Sequence, residues 1–232
     1  MNSIVRNISL LFLTSLIFSN TAVNFDVTML GVKIANVTMA QRDTMYHDIS
    51  AKKIIFSAST SDITSAFYSV DNYYEVIVNK ETFQILSFYK KTSQPNLENL
   101  ISTEYSNGIV KYSNSDIVIP QNAFNIFTLL SYLTSQNIQS IKNGFEIESE
   151  GELYTANLVE SKHDMNTMHY EVLLDEKQCD SCKPVVENTD VFTWILFKSK
   201  TKRHIWIDTI NKQIDKCVFD LGIITVTAKR KL

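Results

Sequence analysis

Cys179-Asp180-Ser181-Cys182 is the spacing in this chain with the most specific chemistry attached to it. Two thiols three positions apart close a small disulfide in an oxidising compartment, supply half of a tetrahedral metal site, or work as a redox pair. Redox work requires the pair at the start of a helix that follows a strand; here the flanks are DEKQ and KPVV, with no βαβ pattern around them. A zinc site requires two further ligands, for which Cys217 and His204 are the candidates, both on expected strands. A local disulfide between Cys179 and Cys182 is the expectation, with no metal and no cofactor assigned. Cys217 is then left over as a buried free thiol.

The remaining polar residues assemble no catalytic pattern. His47, His163, His169 and His204 are scattered, without the HxH or HxxxH spacing of a metal ligand set. Asp62, Asp71 and Asp208 stand near Ser or Thr, but no G-x-S-x-G elbow and no phosphate-cradling glycine loop accompanies them, so turn and cap roles account for them. No catalytic residue is assigned, and the chain does not read as an enzyme. Aromatic residues are the other chemical resource. Phe67, Tyr74, Phe88, Phe124, Phe127, Tyr132, Trp194 and Trp206 are the candidates to line a pocket for an acyl chain or other apolar ligand. The competing reading is that these rings simply fill a core.

Which reading holds depends on the elements that carry the rings. In IPQNAFNIFTLLSYLTSQ, Ile126, Leu129, Leu130 and Leu133 fall at i, i+3, i+4 and i+7, an apolar stripe widened by Phe124, Phe127 and Tyr132. Pro120 precedes it and Asn122 is the expected N-cap, which predicts one principal helix over about 121–136. Almost everything else alternates with period two. Phe25, Val27 and Met29 share a face, and the parity changes near residues 35–39, where a bulge is expected. Asn107-Gly108 and Glu150-Gly151 mark hairpins, and residues 79–82 mark another. Residues 191–197 are apolar on both faces and read as a central strand. Roughly ten strands emerge, joined by short turns. A lone apolar helix among them must be covered by the inner face of a sheet. The expected fold is therefore mainly β, an antiparallel open barrel or strongly curved sheet packed around one principal α-helix.

Composition bounds the rest. Of 232 residues, 44% are apolar and 11% aromatic, ample for a core, and three prolines with five glycines leave little material for linkers. One β-rich domain over residues 23–232 is expected. Residues 1–22 read as a signal peptide: Arg6, then the apolar run ISLLFLTSLIF, then small and polar SNTA. That run is short for a bilayer span, and no later segment is long and apolar enough, so the mature chain is expected in the periplasm or cell envelope without a membrane span. With 22 basic and 25 acidic residues there is no basic surplus to serve a nucleic acid.

Four stretches together resemble a bacterial envelope family, domain of unknown function family 3108: FDVTMLGVKIANVTM from Phe25, FYSVDNYYEVIVNKETFQILSFYK from Phe67, the helix segment, and WILFKSKTKRHIWIDTINKQIDKCVFDLGIITVTAKRKL from Trp194. The family landmarks look like Gly31 in the first turn, Asp71 after an aromatic pair and Arg203 leading into a penultimate strand. His204 stands where a proline often follows that basic residue. The resemblance implies an exported all-β fold and carries over no catalytic residue. The functional expectation is a non-catalytic envelope protein binding a lipid, another hydrophobic ligand or an envelope partner. A structural or assembly factor without a small ligand is the alternative, and a metal enzyme built on the Cys loop is the second alternative.

Overall fold

Among the described residues, fourteen strands join in one antiparallel sheet, and the chain lays them down almost entirely in sequence order. The computed structural model describes residues 21–60, 65, 66, 68–135, 144–164, 166–177 and 182–231. The expected leader therefore lies outside the described residues, apart from its last two positions. The first half comprises β1 (Thr21–Met29), β2 (Val32–Tyr46), β3 (Ile49–Thr60), β4 (Asp71–Asn79), β5 (Ile85–Gln94), β6 (Leu97–Ser106), β7 (Ile109–Tyr112) and β8 (Val118–Ile119). Helix α1 (Ile126–Ser135) separates these from β9 (Phe145–Ser149), β10 (Glu152–Asp164) and β11 (Thr167–Glu176). Helix α2 (Val191–Phe197) then precedes β12 (Lys202–Asp208), β13 (Gln213–Asp220) and β14 (Thr225–Arg230).

Consecutive strands pair throughout except β8 and β9, and the two runs join at one seam, where β1 meets β14 with Phe25 opposite Arg230 and Met29 opposite Val226. The two unpaired edges of the sheet are β8 and β9. The lead-in to α1 occupies the second of these: Phe124 N–H donates to the Glu146 carbonyl at 2.9 Å, and Glu148 N–H donates to the Phe124 carbonyl at 2.7 Å. The result is a nearly closed barrel, mainly β as the alternation required.

Period two sets what faces inward. Asn72, Tyr74, Val76 and Val78 of β4 and Arg203, Ile205 and Ile207 of β12 are buried, while their neighbours look outward. The expected bulge is present. Val27 opposes Ala35 but Thr28 opposes Lys33, so Ile34 is the extra residue, and Ala35 and Met39 are buried beyond it.

Helix α1 lies inside, with Ile126, Leu129 and Leu133 buried and Phe127 against Phe56 and Tyr74 at ring distances of 4.8 and 4.7 Å. Its start differs from the expected position 121 with an Asn122 cap. Phe124 is held extended by the β9 edge, so the helix cannot begin before it, and Asn125 is the cap: its Oδ1 accepts from Thr128 N–H at 2.9 Å, while its own N–H donates to Thr128 Oγ1 at 2.8 Å.

The expected central strand at residues 191–197 is helix α2 instead. A short run apolar on all sides does not distinguish strand from buried helix, and the deciding feature is Asp190, whose carboxylate accepts from the N–H groups of Phe192 and Thr193. Arg203 closes the other end. Its guanidinium donates to the carbonyls of Leu196, Lys198 and Thr201, so the loop after α2 is tied to the first turn of β12. The turns β1–β2, β5–β6, β9–β10 and β13–β14 lie at one end of the barrel together with α2; this is the α2 end.

Candidate ligand site inside the barrel

Between α1, α2 and the inner face of strands β1 to β4, β13 and β14 lies an apolar cavity of about 110 Å³, walled by Phe25, Phe56, Tyr74, Phe127, Phe192 and Phe219. Tyr74 and Phe127 are thus the two sequence candidates that the fold brings together there. Phe88 lines an adjoining recess of about 20 Å³, which shares Tyr74 and Phe127 with the larger space. Phe124 and Tyr132 pack on each other at 5.3 Å and on Phe145 and Phe83, filling core on a different flank of α1. Trp206 points outward from β12, stacked on His169 at 4.2 Å with the Lys216 ammonium 3.8 Å from its ring centroid. Trp194 is exposed on α2, with the Lys198 ammonium 4.1 Å from its ring centroid. Phe67 lies outside the described residues. Phe25, Phe56 and Phe192 are not among the sequence candidates. Alternation in β1 and β3 marks the first two as inward-facing, whereas Phe192 turns inward only because α2 is a helix.

The cysteines separate. Cys182 is disulfide-bonded, and the Cys179 side of the expected pairing lies outside the described residues. Cys217 is a free buried thiol in the cavity wall, and burial pushes its pKa up to about 12. His204 faces outward on β12, where its ring lies against His169, 3.2 Å between nitrogens, while Cys217 faces inward on β13. Alternation therefore puts these two candidate metal ligands on opposite faces of the sheet. Among the described residues, no three His, Cys, Asp or Glu side chains converge as a metal site.

A second feature of the interior escapes the sequence entirely. Lys90, inward on β5, is buried and ion-paired with Glu150 from the β9–β10 turn and with Asp190, 2.5 Å away, at the head of α2. Asp190 also accepts from the Tyr74 hydroxyl at 2.8 Å, the Asn72 amide at 3.2 Å and the Thr193 hydroxyl at 2.6 Å. Burial acts to raise the Asp190 pKa. The Lys90 charge, with hydrogen bonds from Lys90, Thr193 and Tyr74, outweighs it and holds the carboxyl below the ordinary carboxylate range. Glu150 goes the other way, because burial raises it more than Lys90 lowers it. Gly151 lets its turn fit: φ is +96°, and a Cβ there would lie 2.2 Å from the Lys183 carbonyl oxygen. With both carboxylates on it, Lys90 is a clamp that fixes α2 to the wall rather than a free amine nucleophile.

Glu148, two residues before Glu150, is wholly buried and accepts from the Tyr112 hydroxyl and, at 2.7 Å, from Gly151 N–H. Burial is the largest influence and pushes its pKa from the ordinary 4.5 up to about 7. A carboxyl whose folded pKa is raised keeps its proton in the folded protein where the unfolded chain has lost it. Its contribution to stability is therefore complete below about pH 4.5 and is lost as pH rises to about 7. That shift corresponds to about 3 kcal/mol. Urea midpoints measured from pH 4.5 to 7.5 should fall with rising pH, and Glu148→Gln should flatten this slope; an unchanged slope in the variant would assign it to other groups.

No protein-family model matches this chain, and no curated protein matches it. Among solved structures the chain is similar to the beta-barrel-like protein of domain of unknown function DUF1849 from Brucella abortus, with a TM-score of 0.52 and 8% identity over 90% of this chain and 95% of that one. This likeness supports a β-barrel-like fold of a kind found in a domain of unknown function, and does not extend to family 3108 specifically.

Proposed function

We propose that this chain is an exported, non-catalytic envelope protein that holds an apolar group inside its barrel. The observation that carries the reading is the 110 Å³ cavity, whose wall is aromatic and aliphatic apart from the Thr193 hydroxyl and the Cys217 thiol. Pockets for drug-sized ligands run to about 300–1,000 Å³, and an engineered apolar cavity of about 150 Å³ takes up benzene. The fitting occupant is accordingly a single ring, a short branched alkyl group or the end of a longer chain, with the remainder outside. The leader at residues 1–22, the apolar lining and the landmarks Gly31, Asp71 and Arg203 support an envelope protein akin to family 3108.

Ala58 lies in the cavity wall, so Ala58→Leu introduces a larger side chain there. Native mass spectrometry of the purified chain should show a retained apolar compound, and benzene should raise the melting temperature of stripped protein. Both effects should vanish in Ala58→Leu. A stripped protein indifferent to benzene, with nothing retained on purification, would leave the cavity as a packing defect and overturn the reading.

A further inference from the structure

The α2 end carries apolar side chains on the outside of the molecule, where folding alone has no use for them. Leu30 and Val32 flank Gly31 in the β1–β2 turn, and Ile223 and Ile224 follow Gly222 in the β13–β14 turn. Leu30 is 73% exposed and Ile223 94%. Because β1 pairs with β14, ending at Met29 opposite Val226, these two turns are neighbours along the rim. The second is held in shape: Leu221 N–H donates to the Ile224 carbonyl at 2.9 Å and Gly222 N–H to Asp220 Oδ1 at 2.8 Å, so Ile223 stands out on a fixed loop.

Charge continues the same rim. The strand after this hairpin in space is β12, whose Lys202 opposes Asp220. Leading into it, Lys198, Lys200 and Lys202 are exposed at every second residue, and Trp194 lies exposed one helical turn earlier beneath Lys198. Lys33 also lies at this end but pairs with Asp26 at 2.6 Å and is not counted. Of the acidic groups nearby, Asp220 is engaged in its own turn, while Glu152 and Glu187 share a recess with Trp194 and Lys198 and leave Lys200 and Lys202 as the outer cations of the row. Apolar tips bordered by an interfacial tryptophan and a row of lysines are complementary to an anionic lipid surface: the tips enter the acyl boundary while the ammonium groups meet the headgroups.

We propose that the α2 end docks on an anionic bilayer surface through Leu30, Val32 and Ile223, with Lys198, Lys200 and Lys202 setting the preference for negative headgroups. The apolar cavity lies directly behind this rim, since Val27, Phe192 and Val226 line it. Docking does not depend on that cavity being occupied.

The test is co-sedimentation of the full mature chain with phosphatidylglycerol vesicles and with phosphatidylcholine vesicles. Binding to the anionic vesicles is expected, weakened by salt, with little binding to the zwitterionic ones. Each juxtamembrane lysine contributes about fivefold, so the triple variant Lys198→Gln, Lys200→Gln, Lys202→Gln should lose about a hundredfold in affinity. Leu30→Ser with Ile223→Ser should abolish sedimentation while leaving the melting temperature unchanged, as both side chains are solvated. Ala58→Leu should bind vesicles normally, which separates failure of docking from failure of the cavity reading. Absence of sedimentation by the wild-type chain, retention by both rim variants, or concentration-dependent dimerisation abolished by the Leu30 and Ile223 changes would each overturn the proposal.

Discussion

Lys90→Met should cost about 3–5 kcal/mol of folding stability, the largest effect of any single change on the polar side of the interior. The substitution keeps most of the length of the lysine stem, with sulfur in place of one methylene, and removes the ammonium. It leaves Glu150 and Asp190 facing each other in a buried space, where the interactions that held Asp190 below the ordinary carboxylate range are reduced. Urea denaturation at pH 7 should show the midpoint falling. If the cost comes from orphaned charge rather than lost packing, adding Glu150→Gln and Asp190→Asn to Lys90→Met should recover a large part of it, since the amide oxygen introduced by Asp190→Asn can still cap α2. A triple variant no better than the single one would show that the ammonium contributes through packing instead.

Leu129→Ala should cost about 2–5 kcal/mol, from lost transfer energy and the space left behind. Leu129 is fully buried on α1, the helix about which the whole sheet is curved, and it has no polar group to compensate for truncation. The measured quantity is again the urea midpoint, with an unchanged slope of free energy against denaturant. A cost below about 1 kcal/mol would mean that α1 repacks freely and does not organise the barrel. Leu130 gives the contrast: it is only partly buried, so Leu130→Ala removes less apolar contact and should cost less.

The barrel and its plug are legible in the sequence because each rests on periodicity. Strands β1, β4 and β5 alternate, Asn107-Gly108 and Glu150-Gly151 turn where such dipeptides should, and the stripe of Ile126, Leu129 and Leu133 faces the core. The departures fall where one local rule meets a competing tertiary contact. Asn122 looks like a cap, but Phe124 is committed to the β9 edge. VFTWILF looks like a strand because nothing in its apolar content reports that Asp190 will be locked by Lys90, a residue far earlier in the chain. The site suffers from the same limitation. Alternation finds inward rings such as Tyr74, yet Trp206 and His204 fall on the outer face, and the pairing of Lys90 with Glu150 and Asp190 needs three distant segments in register. A lysine on a strand ordinarily marks the wet face; here it marks the innermost polar group.

The seam between β1 and β14 sets the order in which the fold can assemble. Every other ladder joins strands adjacent or nearly adjacent in the chain, so hairpins form as soon as each pair is available. The runs β1 to β8 and β9 to β14 become one sheet only when Thr225–Arg230 pairs with β1, far away in the chain. Until that pairing forms, β1 to β8 and β9 to β14 are two separate ribbons. The six-residue strand β14 is the latch that ends that state.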